Sequence, residues 1–129
     1  MNEPIAKDIP DEPYSSNGGE PIPLPALTHL QFLVLDIARG NSDGISSHAM
    51  QEALRKEGQE QSGPKFYQLM QRLVSAGWIV SWSQSFDIAG SSVTRTFYKL
   101  SSEGTVAHSM TIAFYEYRLR LYRQLNDGE

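Results

Sequence analysis

At 129 residues the chain has room for one domain with a modest core and not for two of ordinary size. It contains no cysteine, which excludes disulfides and thiolate metal sites and argues against a stapled secreted module. The formal net charge is -4, yet residues 26–125 carry ten Lys and Arg against eight Asp and Glu, so overall acidity does not exclude a polyanionic partner.

Residues 1–25 hold every proline but Pro64, together with Glu3, Asp8, Asp11, Glu12 and Glu20 against Lys7. Such a segment buries too little surface to offset its ordering entropy and predicts a disordered acidic, Pro-rich tail. It lacks the basic, apolar and small-residue regions of a signal peptide, and no apolar run approaches bilayer length, so a cytoplasmic protein without membrane contact is expected.

The first helix is signalled by Thr28-His29-Leu30-Gln31, a capping-box pattern, and is expected to run to Arg39 with Gly40 as its stop. Leu30, Leu33, Val34, Ile37 and Ala38 form its core stripe. Phe32 and Leu35 lie off that stripe and give the helix a second apolar surface. A second helix is expected from a cap at Ser46 or Ser47 to Gly58, with Met50, Ala53 and Leu54 inward.

The third helix follows a Ser62 cap, with Pro64 in its first turn and Gly77 as its stop. Phe66, Leu69, Met70, Leu73 and Val74 make its apolar stripe. Its other side carries Lys65, Gln68 and Arg72, flanked by Tyr67 and Gln71, and no Asp or Glu occurs from Gln61 to Phe86. A face of cations, amides and a phenol, free of carboxylates, suits phosphates and base edges.

The period then changes to two: Trp78, Val80, Trp82 and Phe86 alternate with Ile79, Ser81, Ser83 and Ser85, as in a half-buried strand. Ile88 to Ser92 supplies a turn, and Val93 to Leu100 reads as the returning strand of a hairpin. Ser101 caps a final helix that reaches about Leu125, roughly 37 Å at the α-helical rise. Ala107, Met110, Phe114, Tyr117 and Leu121 fall at heptad spacing along it, and no other helix is left in the chain to receive so long a stripe. A second copy is the expected partner. Three parts follow: the tail at 1–25, a domain at 26–100 and a dimerisation helix at 101–125.

Helix, helix, helix, two-stranded wing and long helix is the order of a winged helix-turn-helix domain, an α+β fold that is mainly α. There the third helix enters the major groove and the wing lies along the backbone. The run Phe66-Tyr67-Gln68-Leu69-Met70-Gln71-Arg72-Leu73, followed by Ala76-Gly77-Trp78-Ile79, resembles the recognition helix of the PadR family of bacterial transcriptional regulators, with its Leu-Tyr-x-Leu-Leu-x-Arg-Leu run and Glu-Gly-Leu-Ile exit. Likewise Thr96-Phe97-Tyr98-Lys99-Leu100-Ser101-Ser102-Glu103-Gly104 is similar to that family's Lys-Tyr-Tyr-x-Leu-Thr-x-x-Gly end of the wing. The resemblance covers residues 27–122. Related families such as MarR share parts of it.

The resemblance implies a regulator, expected to repress, that binds double-stranded DNA sequence-specifically as a homodimer and needs no cofactor. DNA contacts are then expected at Lys65, Tyr67, Gln68, Gln71, Arg72 and Arg95, and dimer contacts at Phe32, Leu35, Met110, Phe114, Tyr117 and Leu121. Some relatives hold a small aromatic effector at the dimer interface. Three positions depart from the family pattern: Val93-Thr94-Arg95-Thr96 offers one cation where the family's wing has several, Ser47-His48 replaces Gly-Tyr, and Gln68 replaces a proline.

Other readings fare less well. His29, His48 and His108 are spread over three helices, too far apart in sequence pattern for a catalytic pair or a zinc site, and are expected to be surface or capping residues. No enzyme is expected. Trp78, Trp82, Phe114, Tyr115 and Tyr122 are enough aromatics to line an effector pocket, although such stripes more often serve packing. The main alternative is a winged-helix module that binds protein and does not read DNA.

Overall fold

The computed structural model describes residues 24–127, so nearly all of the tail expected at 1–25 lies outside the described residues. Residues 27–106 form one compact unit, and the C-terminal helix from Ala107 onward belongs to another. In chain order the elements are α1 (His29–Arg39), β1 (Ile45–Ser46), α2 (Ser47–Lys56), α3 (Gly63–Ser75), β2 (Ile79–Ile88), β3 (Ser91–Leu100) and α4 (Ser102–Asp127).

Helix α1 opens with the expected capping box: the Gln31 amide donates to Thr28 Oγ1 at 3.1 Å, and the Thr28 amide donates to Gln31 Oε1 at 3.0 Å. Gly40 ends the helix in right-handed geometry, so its role is not that of a left-handed stop. The stop is reinforced by the Asn41 side chain, which donates to the Ile37 carbonyl at 2.8 Å. The buried arc is rotated from the expected stripe. Val34, Leu35 and Ala38 are fully covered, whereas Leu30, Leu33 and Ile37 are half-buried, because the helix packs onto β3 and α2 on that side. Leu35 is therefore a core residue of its own domain and presents no surface to a partner.

Ser46 caps α2, its Oγ accepting from the Ala49 amide at 3.1 Å, and the helix buries Met50 and Leu54. Just before it, Ile45–Ser46 pairs antiparallel with Tyr98 and Phe97 of β3. This two-residue strand makes the sheet three-stranded, in the order β1-β3-β2, where the sequence predicts a hairpin alone. A pair of residues is too short for any period to register.

Helix α3 begins at the Ser62 cap with Pro64 in its first turn, and turns Phe66, Leu69, Met70 and Leu73 into the core. Phe66 meets Tyr98 of β3 edge-on, ring centroids 6.3 Å apart, which fixes α3 against the sheet. Strands β2 and β3 pair over their whole length, from Ile79↔Leu100 to Ile88↔Ser91. The expected half-buried strand is not what forms: Ile79 alone enters the core, Trp82 is half-buried, and Val80 and Phe86 are exposed, because the hairpin extends beyond the helices that cover its root. Trp82 and Phe86 lie on the outer face and pack against Phe97, stacked at 5.8 Å and tilted at 6.1 Å respectively. Trp82 also covers Gly44, whose φ of +117° suits glycine and whose Cβ position lies 2.6 Å from the indole.

The hairpin turn is the two-residue loop Ala89-Gly90, with φ of 51° and 82°. Positive φ at both positions is the mirror-image turn that matches strand twist, in which Asn-Gly is preferred. Replacing Ala89 with asparagine is expected to raise stability by about 0.5 kcal/mol. A thermal melt showing a lower midpoint would contradict that reading of the turn.

At the far end of β3, Ser101 ties the sheet to α4. Its Oγ accepts from the Gly104 amide at 2.9 Å and donates to the Gly77 carbonyl at 2.5 Å, while its amide donates to the Trp78 carbonyl at 3.0 Å. Gly104 is buried against the Trp78 backbone. Helix α4 runs to Asp127. Along its C-terminal part, Ala107, His108 and Thr111 are buried and Met110, Phe114, Tyr117 and Leu121 are half-buried. Tyr115, Leu119, Tyr122 and Leu125 form a second apolar set that is exposed. No helix is long and apolar enough to cross a membrane among the described residues.

Candidate nucleic-acid interface

With four apolar side chains turned inward, α3 exposes Pro64, Lys65, Tyr67, Gln68, Gln71, Arg72 and Ser75. At 100° per residue, Gln68, Gln71 and Ser75 occupy the middle of that face. Lys65 and Arg72 share one flank, and Tyr67, 62% exposed, sits on the other. The centre is thus neutral and able both to donate and to accept hydrogen bonds, as base edges require, and the cations lie to one side.

That flank borders a hollow of about 230 Å³ lined by Thr28, Leu30, Gln31, Gln61, Lys65, Gln68, Leu69 and Arg72. Among the described residues neither Lys65 nor Arg72 has an ionic partner, whereas Arg55 of α2 is paired with Glu52. The Arg55 hydrogen bond holds the Glu52 carboxyl below its usual range. Both flank cations are therefore available to an external anion. Gln61 curls back on the Gln59 and Glu60 carbonyls at 3.2 Å and shapes the rim. Sequence alone does not place Thr28, Gln31 or Gln61 at the site; Thr28 and Gln31, the cap and first turn of α1, are brought beside Lys65 by the fold, and Gln61 directly precedes the Ser62 cap of α3.

Tyr98 sits beneath the face. Burial raises its phenol pKa, opposed by a hydrogen bond from Ser47 and reinforced by nearby Tyr67, so it stays neutral and ties β3 to the start of α2. Arg95 is exposed on the wing, opposite Gln84 and on the hairpin face that carries Trp82 and Phe97. The structure thus groups five of the six expected DNA-contact residues on one helix face and sets Arg95 apart on the hairpin.

Of the aromatics that could line an effector pocket, Trp78 packs against the core and Trp82 stacks on Phe97, so both are engaged in packing. Phe114 and Tyr115 meet edge-on at 5.3 Å within the C-terminal helix. Phe32 is half-buried on α1. His29 and His48 are exposed as expected, but His108 is buried, a correction to its reading as a surface residue. No cluster of three potential metal ligands occurs among the described residues.

No protein-family model and no curated protein matches the sequence. Solved structures do match. A PadR-family transcription regulator from Clostridium difficile aligns with a TM-score of 0.61 at 15% identity, over 76% of this chain and 98% of that one. Bacillus subtilis PadR in complex with operator DNA aligns with a TM-score of 0.55 at 18% identity, over 66% of this chain and 47% of that one, so the match spans less than half of that relative. A PadR-family regulator from Eggerthella lenta aligns with a TM-score of 0.54 at 20% identity, over 78% and 88% of the two chains. The chain therefore has the winged-helix fold of the PadR-type transcription regulators, mainly helical, with a long C-terminal helix.

Proposed function

We propose that this protein is a PadR-like transcription regulator, a repressor that binds duplex DNA as a homodimer and carries no catalytic activity. The observation that supports this most is the polar face of α3, exposed, free of carboxylates and flanked by two cations with no ionic partner among the described residues. The operator-bound relative from Bacillus subtilis has the same fold, which lends the DNA reading further support. In this reading Gln68 and Gln71 reach base edges, Lys65, Tyr67 and Arg72 hold the flanking backbone, and Arg95 touches phosphate from the wing.

Selection of bound fragments from random duplex DNA at low salt tests the reading directly. A shared motif with two related half-sites is the expected result. Gln68→Ala is then expected to cost about 1 to 3 kcal/mol on the selected site and to relax preference at one position. Fragments without any common sequence would favour the protein-binding alternative.

Dimerisation is assigned to the C-terminal helix, through Met110, Phe114, Tyr117 and Leu121, and Phe32 of α1 is proposed as a further contact to the partner copy. The effector reading is carried by the aromatic content of that helix. Phe114→Glu together with Leu121→Glu is expected to give a monomer or an insoluble protein in sedimentation. An unaltered dimer would remove this interface from the scheme.

A further inference from the structure

The wing has two faces of opposite chemistry. Because paired residues in an antiparallel ladder project to the same side, the register sorts every side chain of the hairpin. On one face lie Val80↔Lys99, Trp82↔Phe97, Gln84↔Arg95 and Phe86↔Val93. These hold the hairpin together: Trp82 stacks on Phe97, Lys99 Nζ lies 5.7 Å from the Trp82 ring centroid, and the indole covers Gly44. On the other face Ser81, Ser83, Ser85, Ser92, Thr94 and Thr96 form a ladder of hydroxyls, six of the seven Ser and Thr in the hairpin. Apart from a 3.2 Å contact between Ser85 Oγ and Thr94 Oγ1, these hydroxyls have no protein partner among the described residues. The same face carries Tyr98 and Ile79 at its root, where Tyr98 meets Phe66 of α3, so the ladder lies on the side of the hairpin turned towards α3.

From this we infer that the hydroxyl face of the wing is a phosphate-contacting surface, in which Ser83, Ser85, Thr94 and Thr96 take the part that a basic wing would play. The inference rests on the DNA reading of α3 given above. Hydroxyls on one strand face recur about every 6.8 Å, close to the separation of neighbouring phosphates along one nucleic-acid strand. Hydroxyls donate to phosphate oxygens without releasing condensed counterions. Asp87, opposite Ser92 on this face, repels phosphate and marks the outer limit of the contact. Arg95 projects from the opposite face and reaches phosphate only past the hairpin's edge, so the closer grip on the backbone falls to the hydroxyls and the wing stays weakly charged. Its signature is a contact that adds affinity at every salt concentration alike.

The test is a titration of labelled duplex DNA with the full-length protein and two variants from about 50 to 300 mM salt. Thr94→Val with Thr96→Val removes two hydroxyls and keeps side-chain shape and β-propensity. It is expected to bind roughly ten- to a hundredfold more weakly, with the slope of log affinity against log salt unchanged. Thr94→Ser with Thr96→Ser restores the hydroxyls and is expected to bind like the parent. Tryptophan fluorescence reports whether the wing remains folded, since Trp82 lies on the opposite face. Parent-like binding by the valine variant overturns the inference, as does equal weakening by the serine variant. If the parent itself shows no affinity for duplex DNA, the reading of α3 falls and the wing contact falls with it.

Discussion

Replacing Gly104 with alanine is expected to destabilise the winged-helix unit by on the order of 3 kcal/mol and to lower its melting temperature by roughly 15 °C. A Cβ at this position would lie 1.9 Å from the Trp78 carbonyl oxygen and 2.8 Å from its carbon, both main-chain atoms that no rotamer change can move. Relief requires the start of α4 to lift from the sheet. That movement breaks the Ser101 links to Gly77, Trp78 and Gly104 together. Against this, alanine gains roughly 1 kcal/mol over glycine in a helix, which is too little to compensate. Gly63, in the first turn of α3, is the control, because nothing lies within 4 Å of its Cβ position. Gly63→Ala should leave the melting temperature unchanged or slightly raised. Equal stability of the two variants would show that α4 does not start where the contacts place it.

Lys65→Ala combined with Arg72→Ala is expected to have the largest effect on binding. The two cations lie to one side of the neutral centre of the exposed α3 face and have no ionic partner among the described residues, so their full charge is available to a backbone. Each neutralised phosphate contributes about 0.9 to the slope of log affinity against log salt, so the slope should fall by about two units. Affinity at low salt should drop by at least tenfold on every sequence alike, with base preference kept. Both side chains are exposed, so the melting temperature should hardly change. An unchanged salt slope would exclude this flank as the anion-binding edge.

Much of the fold can be read from the sequence because its signals are local. Caps at Thr28, Ser46 and Ser62 and the apolar period of α3 each act within one or two turns, and the structure reproduces them. What a sequence does not carry is the direction from which each element is covered. Leu35 lies off the apparent stripe of α1 yet is fully buried, because β3 and α2 approach from that side. Strand β1 is invisible, since two residues define no period and its partner is some fifty positions away. Strand β2 departs from its expected burial for a related reason: the aromatic residues that dominate its pattern stabilise the hairpin itself, and the core takes only Ile79.

The candidate site shows the same division. The polar face of α3 is legible because helix geometry alone gathers Lys65, Gln68 and Arg72. Thr28 and Gln31 join them only because the start of α1 lines the same hollow, which leaves no trace in spacing. The hydroxyl ladder was half visible as Ser81, Ser83 and Ser85 at alternate positions, but pairing with Thr94 and Thr96 depends on the register that the Ala89-Gly90 turn sets.

The central claim is that the exposed face of α3 reads duplex DNA. Fluorescence anisotropy of the intact protein, titrated against a selected duplex and a scrambled one at several salt concentrations, tests it most directly. Affinity for both should fall steeply with salt, and the selected duplex should remain bound at least about a thousandfold more tightly near physiological salt. Affinity that is indifferent to salt, or no binding to either duplex, would contradict the claim and give the polar face of α3 to a protein partner.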